Sequence, residues 1–190
     1  MGTISVVYGT GEGHTEKVAG RVGETVEARG HTCTVTDVDS VTGDSGAELV
    51  ENSDAVIVGS SVHASKHHGA IVAFVRDNRS ALAAVPTAFF QVSLASAVDD
   101  DEWRANAAAY VDTMLESTGF DPDRIALFGG ALRYSKYGFL KRLLMKQLAK
   151  RATGDVDTSR DFEYTDWDEV EAFANDFAAF VEGRRGSAPG

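Results

Sequence analysis

Cysteine is almost missing from this 190-residue sequence: Cys33 stands alone, which excludes an internal disulfide and a cysteine-based metal cage. In its apolar strand it reads as a small core residue. Positive charge is also short. Lys and Arg number 18 against 29 Asp and Glu, a net charge of −11, which argues against sequence-independent nucleic-acid binding by the whole surface. Seventeen of the acids are Asp, and Arg outnumbers Lys twelve to six. An anionic surface of this kind points to a salt-rich cytoplasm, where self-repulsion is screened. Long apolar runs are missing as well. The longest, Ala81 to Phe90, is broken by Pro86 and Thr87 and is too short to span a bilayer. No secretory leader is expected, because Met1 leads almost at once into a strand, and Val6 stands where myristoylation wants Ser or Thr. His63, His67 and His68 have no cysteine or carboxylate at ligand spacing, so no metal site is expected. Ser60 and Ser61 have no evident base, and nothing resembles a Ser/His/Asp arrangement.

What is present is a globular composition, 43% apolar and 25% charged, in a length that suits one domain. Residues 1–183 are expected to form it, with 184–190 a flexible tail. Apolar runs alternate with helical patterns. Ile4–Tyr8, His31–Val38, Ala55–Gly59, Thr87–Val92 and Ile125–Phe128 read as five strands. Helix one carries Val18, Val22 and Val26 at four-residue spacing and stops at Gly30. Further helices are expected from about Ile71, from about Glu102 to Thr118 with Gly119 as the stop, and after the capping signature Asp166-Trp167-Asp168-Glu169. Short strands separated by helices imply right-handed crossovers and a parallel sheet covered on both faces.

One segment departs from the pattern. Residues 124–154 hold eight bases and no acid. Within them Leu140, Leu143, Leu144 and Leu148 share one helical face, and Arg142, Lys146 and Lys150 lie on another, near Tyr134, Tyr137 and Phe139. Residues 160–165 (RDFEYT) read as strand again, so an insertion of about residues 131–156 interrupts or follows strand five, longer than ordinary connections.

The candidate chemistry lies in the turn after strand one, YGTGEGHTEK. It is neither a dinucleotide fingerprint, since His14 stands where a third glycine belongs, nor a Walker loop. Thr10 and Thr15 offer hydroxyls, while Gly11 and Gly13 let the main-chain amides around Glu12 turn inward. The helix starting near His14 adds unpaired N–H groups and the positive end of its dipole. Such a turn suits a terminal phosphate with no cation in contact, which leaves Lys17 free of that duty. His14 itself either donates to the phosphate or faces solvent. Two more loops share that edge of the sheet: Ser60, Ser61, Val62 and His63 after strand three, and Ser93, Leu94, Ala95 and Ser96 after strand four. A phosphate at the first loop and a flat ring between the other two describe FMN bound to a sheet of strand order 2-1-3-4-5. His67 and His68 are expected to open the next helix, and Trp103 and Trp167 to be packing residues.

On YGTGEGHTEKVA, VIVGSSVHASKHHGAIVAFV and the strand-four loop, the chain resembles the flavodoxin superfamily. On FGGALRYSKYGFLKRLLMKQLAKRATGDVDTSRDFEYTDW it resembles, more narrowly, the flavodoxin-like menaquinone-dependent protoporphyrinogen IX dehydrogenases. The resemblance implies a flavodoxin-like three-layer α/β fold, non-covalent FMN, and electron transfer from a porphyrinogen to a quinone in haem biosynthesis. It also implies association with the inner face of the membrane. Arg133, Tyr134, Lys136, Tyr137, Arg142 and Lys146 are then the expected contacts to bilayer or porphyrin propionates. Two alternatives remain at this point: a flavodoxin-type electron carrier or general FMN reductase without porphyrinogen activity, and a non-enzymatic binding module. Sequence sets neither the oligomeric state nor the proton-transfer residues.

Overall fold

The computed structural model describes residues 1–97, 99–132, 159 and 161–186. Five parallel strands form the centre: β1 (Thr3–Gly9), β2 (Thr32–Asp37), β3 (Ala55–His63), β5 (Thr87–Ser93) and β6 (Arg124–Gly129). Their order is β2-β1-β3-β5-β6, which is 2-1-3-4-5 counted over the parallel strands alone. A short β4 (Lys66–His67) folds back antiparallel on β3. The expected fold class is observed.

Alternation along β1 sends side chains to both faces, and both are covered. Ile4, Val6 and Tyr8 pack with Val18, Val22 and Val26 of α1 (His14–Ala28) and with Val170, Phe177 and Val181 of the last helix. Val7, Val56 and Val58 pack on the opposite side with Ile71, Phe74 and Val75 of α3 (Gly69–Asp77) and Val111 and Met114 of α5 (Asp101–Thr118). Burial on two faces is why these strands read as nearly continuous apolar runs. The stops fall at residues suited to the left-handed region: Gly30 at φ +89° and Gly119 at φ +68°. Asp166 caps the last helix, its carboxylate accepting from the N–H groups of Asp168 (3.0 Å) and Glu169 (3.2 Å).

Several elements differ from expectation. Strand three does not end at Gly59; it runs on to His63, because β4 supplies partners for Val62 and His63 beyond the end of the parallel sheet. The two-residue turn between them puts Ala64 at φ +48° and Ser65 at φ +63°, without the glycine or asparagine that advertises such hairpins. A seven-residue helix, α2 (Ser45–Glu51), and the four-residue α4 (Arg79–Leu82) are too short to show a helical period. The RDFEYT segment does not resume the sheet. Phe162–Glu163 (β8) pairs antiparallel with Ala131–Leu132 (β7), so the insertion follows a completed β6. The last helix, α6 (Trp167–Gly186), takes in residues 184–186 of the expected tail, and 187–190 lie outside the described residues. So does nearly all of the insertion.

Candidate functional site

The carboxyl ends of β1, β3 and β5 open on one cavity of about 240 Å³. The parallel register brings them level: Gly9 lies beside Ser60, Ser61 beside Val92, and Ser93 beside Gly129. The walls comprise Thr10, Glu12, His14 and Thr15 from the first turn, residues 61–65 from the end of β3, and residues 92–95 after β5. Trp103 and Tyr110 of α5 close one side, with Gly130 and Ala131 behind. Three segments far apart in sequence thus meet at the edge where strand order reverses, the usual ligand position in open α/β sheets.

The first turn is shaped for an anion. Gly13 is the cap of α1 at φ +86°, a conformation that side chains resist. Its N–H donates to Thr10 Oγ1 at 2.9 Å, which leaves the Thr10 proton available to an acceptor. Thr15 is 1% exposed and heads the first turn of α1, where N–H groups have no intrahelical partner. Gly11 lies close under the exposed His63 ring, and a Cβ there would stand 2.6 Å from His63 Nε2, so that ring would have to turn aside.

The serines divide into two kinds. Ser60 does not line the cavity; its hydroxyl donates to the Ser61 carbonyl at 3.0 Å and accepts from His68 N–H at 3.0 Å, bracing the hairpin. Ser96 is also set back, its N–H on Ser93 Oγ at 3.1 Å. Ser93 Oγ further accepts from Gln91 Nε2 at 3.3 Å and lies 2.7 Å from Ser96 Oγ. Gln91 also faces His67 Nε2 at 2.9 Å through Oε1, and burial holds that imidazole below its usual pKa against the opposing pull of this bond. Ser61 differs. It is 5% exposed, lines the cavity, and its hydroxyl has no hydrogen-bond partner among the described residues. An unpaired buried hydroxyl at a cavity wall is what a ligand acceptor would satisfy.

His14 neither faces solvent nor stands apart. Its ring is buried, with Nε2 2.6 Å from Thr165 Oγ1 and Nδ1 3.6 Å from Glu163 Oε2. Lys17 reaches the same carboxylate at 3.3 Å, and Trp167 Nε1–H donates to its other oxygen at 3.1 Å. Burial works against the Glu163 charge, but the bonds from Lys17 and Trp167 and the nearby His14 outweigh it and hold its pKa below the usual value.

Of the expected residues, Gly11, Gly13, Ser60 and Ser96 shape the walls without lining them. Arg133, Tyr134, Lys136, Tyr137, Arg142 and Lys146 lie outside the described residues. His68 caps α3, whereas His67 belongs to β4. Sequence reasoning missed Ser65, Gly130 and Ala131 as lining residues, and with them Trp103, which it read as packing, and Tyr110. The last two sit seven residues apart, two turns on one helical face, and that spacing was a readable signal.

An open doubly wound sheet with an anion-shaped turn at its switch point and a cleft between the next two strand ends defines a mononucleotide-binding α/β protein. Its residues 5–159 match the Flavodoxin domain family, and the chain belongs to that family. It is 30% identical over 178 residues to a protoporphyrinogen IX dehydrogenase (quinone) of Leishmania major, covering 92% of this chain and 74% of the relative. It is 29% identical over 177 residues to the protein of that name from Escherichia coli (strain K12), covering 93% and 95%. In structure it is similar to a flavodoxin from the domain Archaea, with a TM-score of 0.54, 17% identity and coverage of 95% and 99%. The family implies FMN, and the residues present fit it. Thr10, Thr15 and the first-turn amides suit its phosphate, and the Ser61 hydroxyl and the residue 92–95 wall suit its polar ring.

Proposed function

We propose that this protein is an FMN-dependent oxidoreductase that oxidises protoporphyrinogen IX to protoporphyrin IX with a membrane quinone as acceptor. The observation that carries the reading is the pair of relatives named for that activity, aligned over 92% and 93% of this chain. Bound FMN supplies the reversible two-electron redox chemistry. The chain's own residues hold and orient the cofactor. Thr10, Thr15 and the first-turn amides take the phosphate, and Ser61 offers its unpaired hydroxyl at the wall between β3 and β5. Trp103 and Tyr110 shield one side of the cavity from water. A quinone acceptor resides in the bilayer. Among the described residues no helix is long and apolar enough to cross a membrane. The reading therefore assigns peripheral contact to the basic, leucine-striped 131–151 segment, through Arg133, Lys136, Arg142 and Lys146, on sequence grounds.

The test is anaerobic. Protein reconstituted with FMN is mixed with protoporphyrinogen IX, with and without a menaquinone analogue, and porphyrin fluorescence is followed. A quinone-dependent rise above the protein-free control is expected; no rise removes the reading. One observation favours a second reading: a net charge of −11 suits an electron carrier docking on basic partners. Tight FMN without porphyrinogen turnover would select it.

A further inference from the structure

The first turn, suited to a phosphate, has no lysine or arginine among the described residues lining its cavity, yet it has His14. The charge state of that ring follows from its neighbours. Thr165 has one hydroxyl proton, and it is committed: Oγ1 donates to the Gly129 carbonyl at 2.7 Å. His14 Nε2, 2.6 Å from the same oxygen, must therefore be the donor of their bond. That places the ring's first proton on Nε2. Nδ1 then faces the Glu163 carboxylate at 3.6 Å. A neutral ring would aim a lone pair at a carboxylate, whereas a doubly protonated ring aims an N–H at it.

We infer that His14 stands as an imidazolium at neutral pH, held by Glu163 and Thr165, and supplies a positive charge beside the phosphate site. The inference rests on the FMN reading for its ligand, but not for the charge itself. Two effects oppose it. The ring is 5% exposed, and it occupies the first position of α1, where the dipole is worth roughly half a positive charge. Against these stand the Glu163 carboxylate, which His14 shares with the half-exposed Lys17, and, with cofactor bound, a phosphate dianion in the same cavity. The other charged or titratable groups facing this corner, among the described residues, are Glu12 and His63 on the cavity wall, Tyr110 across it, and Lys17, which reaches the same Glu163 oxygen as His14 at 3.3 Å. The aromatic Trp167 lies edge-on at 6.2 Å and adds no charge. Glu163 and Thr165 are positioning residues in this arrangement, since they act through His14. The β8 segment and the start of α6 thereby tie the C-terminal part of the chain to the cofactor loop.

The experiment is a long-range proton–nitrogen correlation on protein labelled with nitrogen-15 histidine, with and without FMN, at about pH 7. His14 is assigned by the signal lost in His14→Gln. Both ring nitrogens are expected in the protonated form, and Glu163→Gln should release the second proton at lower pH than wild type. A lone-pair signature on either nitrogen at neutral pH overturns the inference. FMN affinity is then followed by flavin fluorescence quenching across about pH 7 to 9, above the second ionisation of a phosphate near pH 6. Wild type should weaken as pH rises, and His14→Gln should bind about tenfold more weakly with no such slope. A slope that survives in His14→Gln belongs to another group and overturns the assignment. Failure of the protein to take FMN at any pH removes the proposed function instead, while the nitrogen spectra still judge the charge on His14.

Discussion

Replacing Ser61 by Ala should move stability and cofactor affinity in opposite directions. The hydroxyl is buried, and no described residue hydrogen-bonds it. An unsatisfied buried polar group costs about 1–3 kcal/mol. Ser61→Ala removes that cost from the FMN-free protein and leaves a methyl in a wall that is already largely apolar. At about 1 kcal/mol, a domain of this size should melt about 2–4 °C higher. With FMN bound, the wild-type hydroxyl gains a partner that the variant cannot supply. Affinity should then drop by about tenfold, the equivalent of about 1.4 kcal/mol. Differential scanning fluorimetry without FMN and fluorescence-quenching titration with FMN read the two halves. A variant that melts lower and binds FMN as well as wild type would refute the reasoning, because the hydroxyl would then be paired within the protein and irrelevant to the ligand.

Other outcomes follow from single contacts. Gly11→Val should weaken FMN binding by displacing the His63 ring at the cavity wall, whose Nε2 a Cβ would approach to 2.6 Å, and equilibrium dialysis would show it. Gly13→Ala forces φ +86° on a residue with a Cβ and should cost about 1–2 kcal/mol by urea denaturation, with Gly13→Asn losing less. The Cys33 thiol is pushed up to about 11 by burial, and then by Glu27, from a usual value of 9.0. Stability from this group is therefore complete below pH 9.0 and is lost as pH rises through about 11, and alkylation near neutral pH should be far slower in native than in denatured protein. Glu163 is shifted the other way, so its contribution is present above its usual 4.5 and disappears as acid titrates the folded carboxyl. Glu163→Gln should flatten the acid limb of a melting-temperature profile. Lowering salt should destabilise a chain of net charge −11, and an unchanged melting temperature in low salt would remove the expectation of a salt-rich habitat.

The centre of the sheet was legible because β1, β3 and β5 are buried on both faces, so Val56, Ile57 and Val58 announce themselves as an apolar run bounded by turn residues. The tight turn after β1 was legible for a different reason: Gly13 takes a positive φ at the helix start, and the turn's glycines mark it in the sequence. What escaped was structure determined by distant partners. Nothing local in Ala64-Ser65 signals a turn; the hairpin exists because β3 outruns its parallel neighbours and Ser65 Oγ meets Tyr110 at 3.2 Å across the cavity mouth. His14 likewise acquires its surroundings from residues 163 and 165, which no spacing rule brings near position 14. Lys17, left without a role by the sequence, finds one in neutralising Glu163.

The pairing of Leu132 with Phe162 has a bearing on ancestry and on engineering. A chain that departs and re-enters through adjacent antiparallel residues does so across a gap of about one strand spacing, roughly 5 Å. A tight turn can span such a gap, so β7 and β8 mark a point at which one segment can be exchanged for another. The fold thus carries a socket, through which a shared redox scaffold can be refitted for a new substrate or surface.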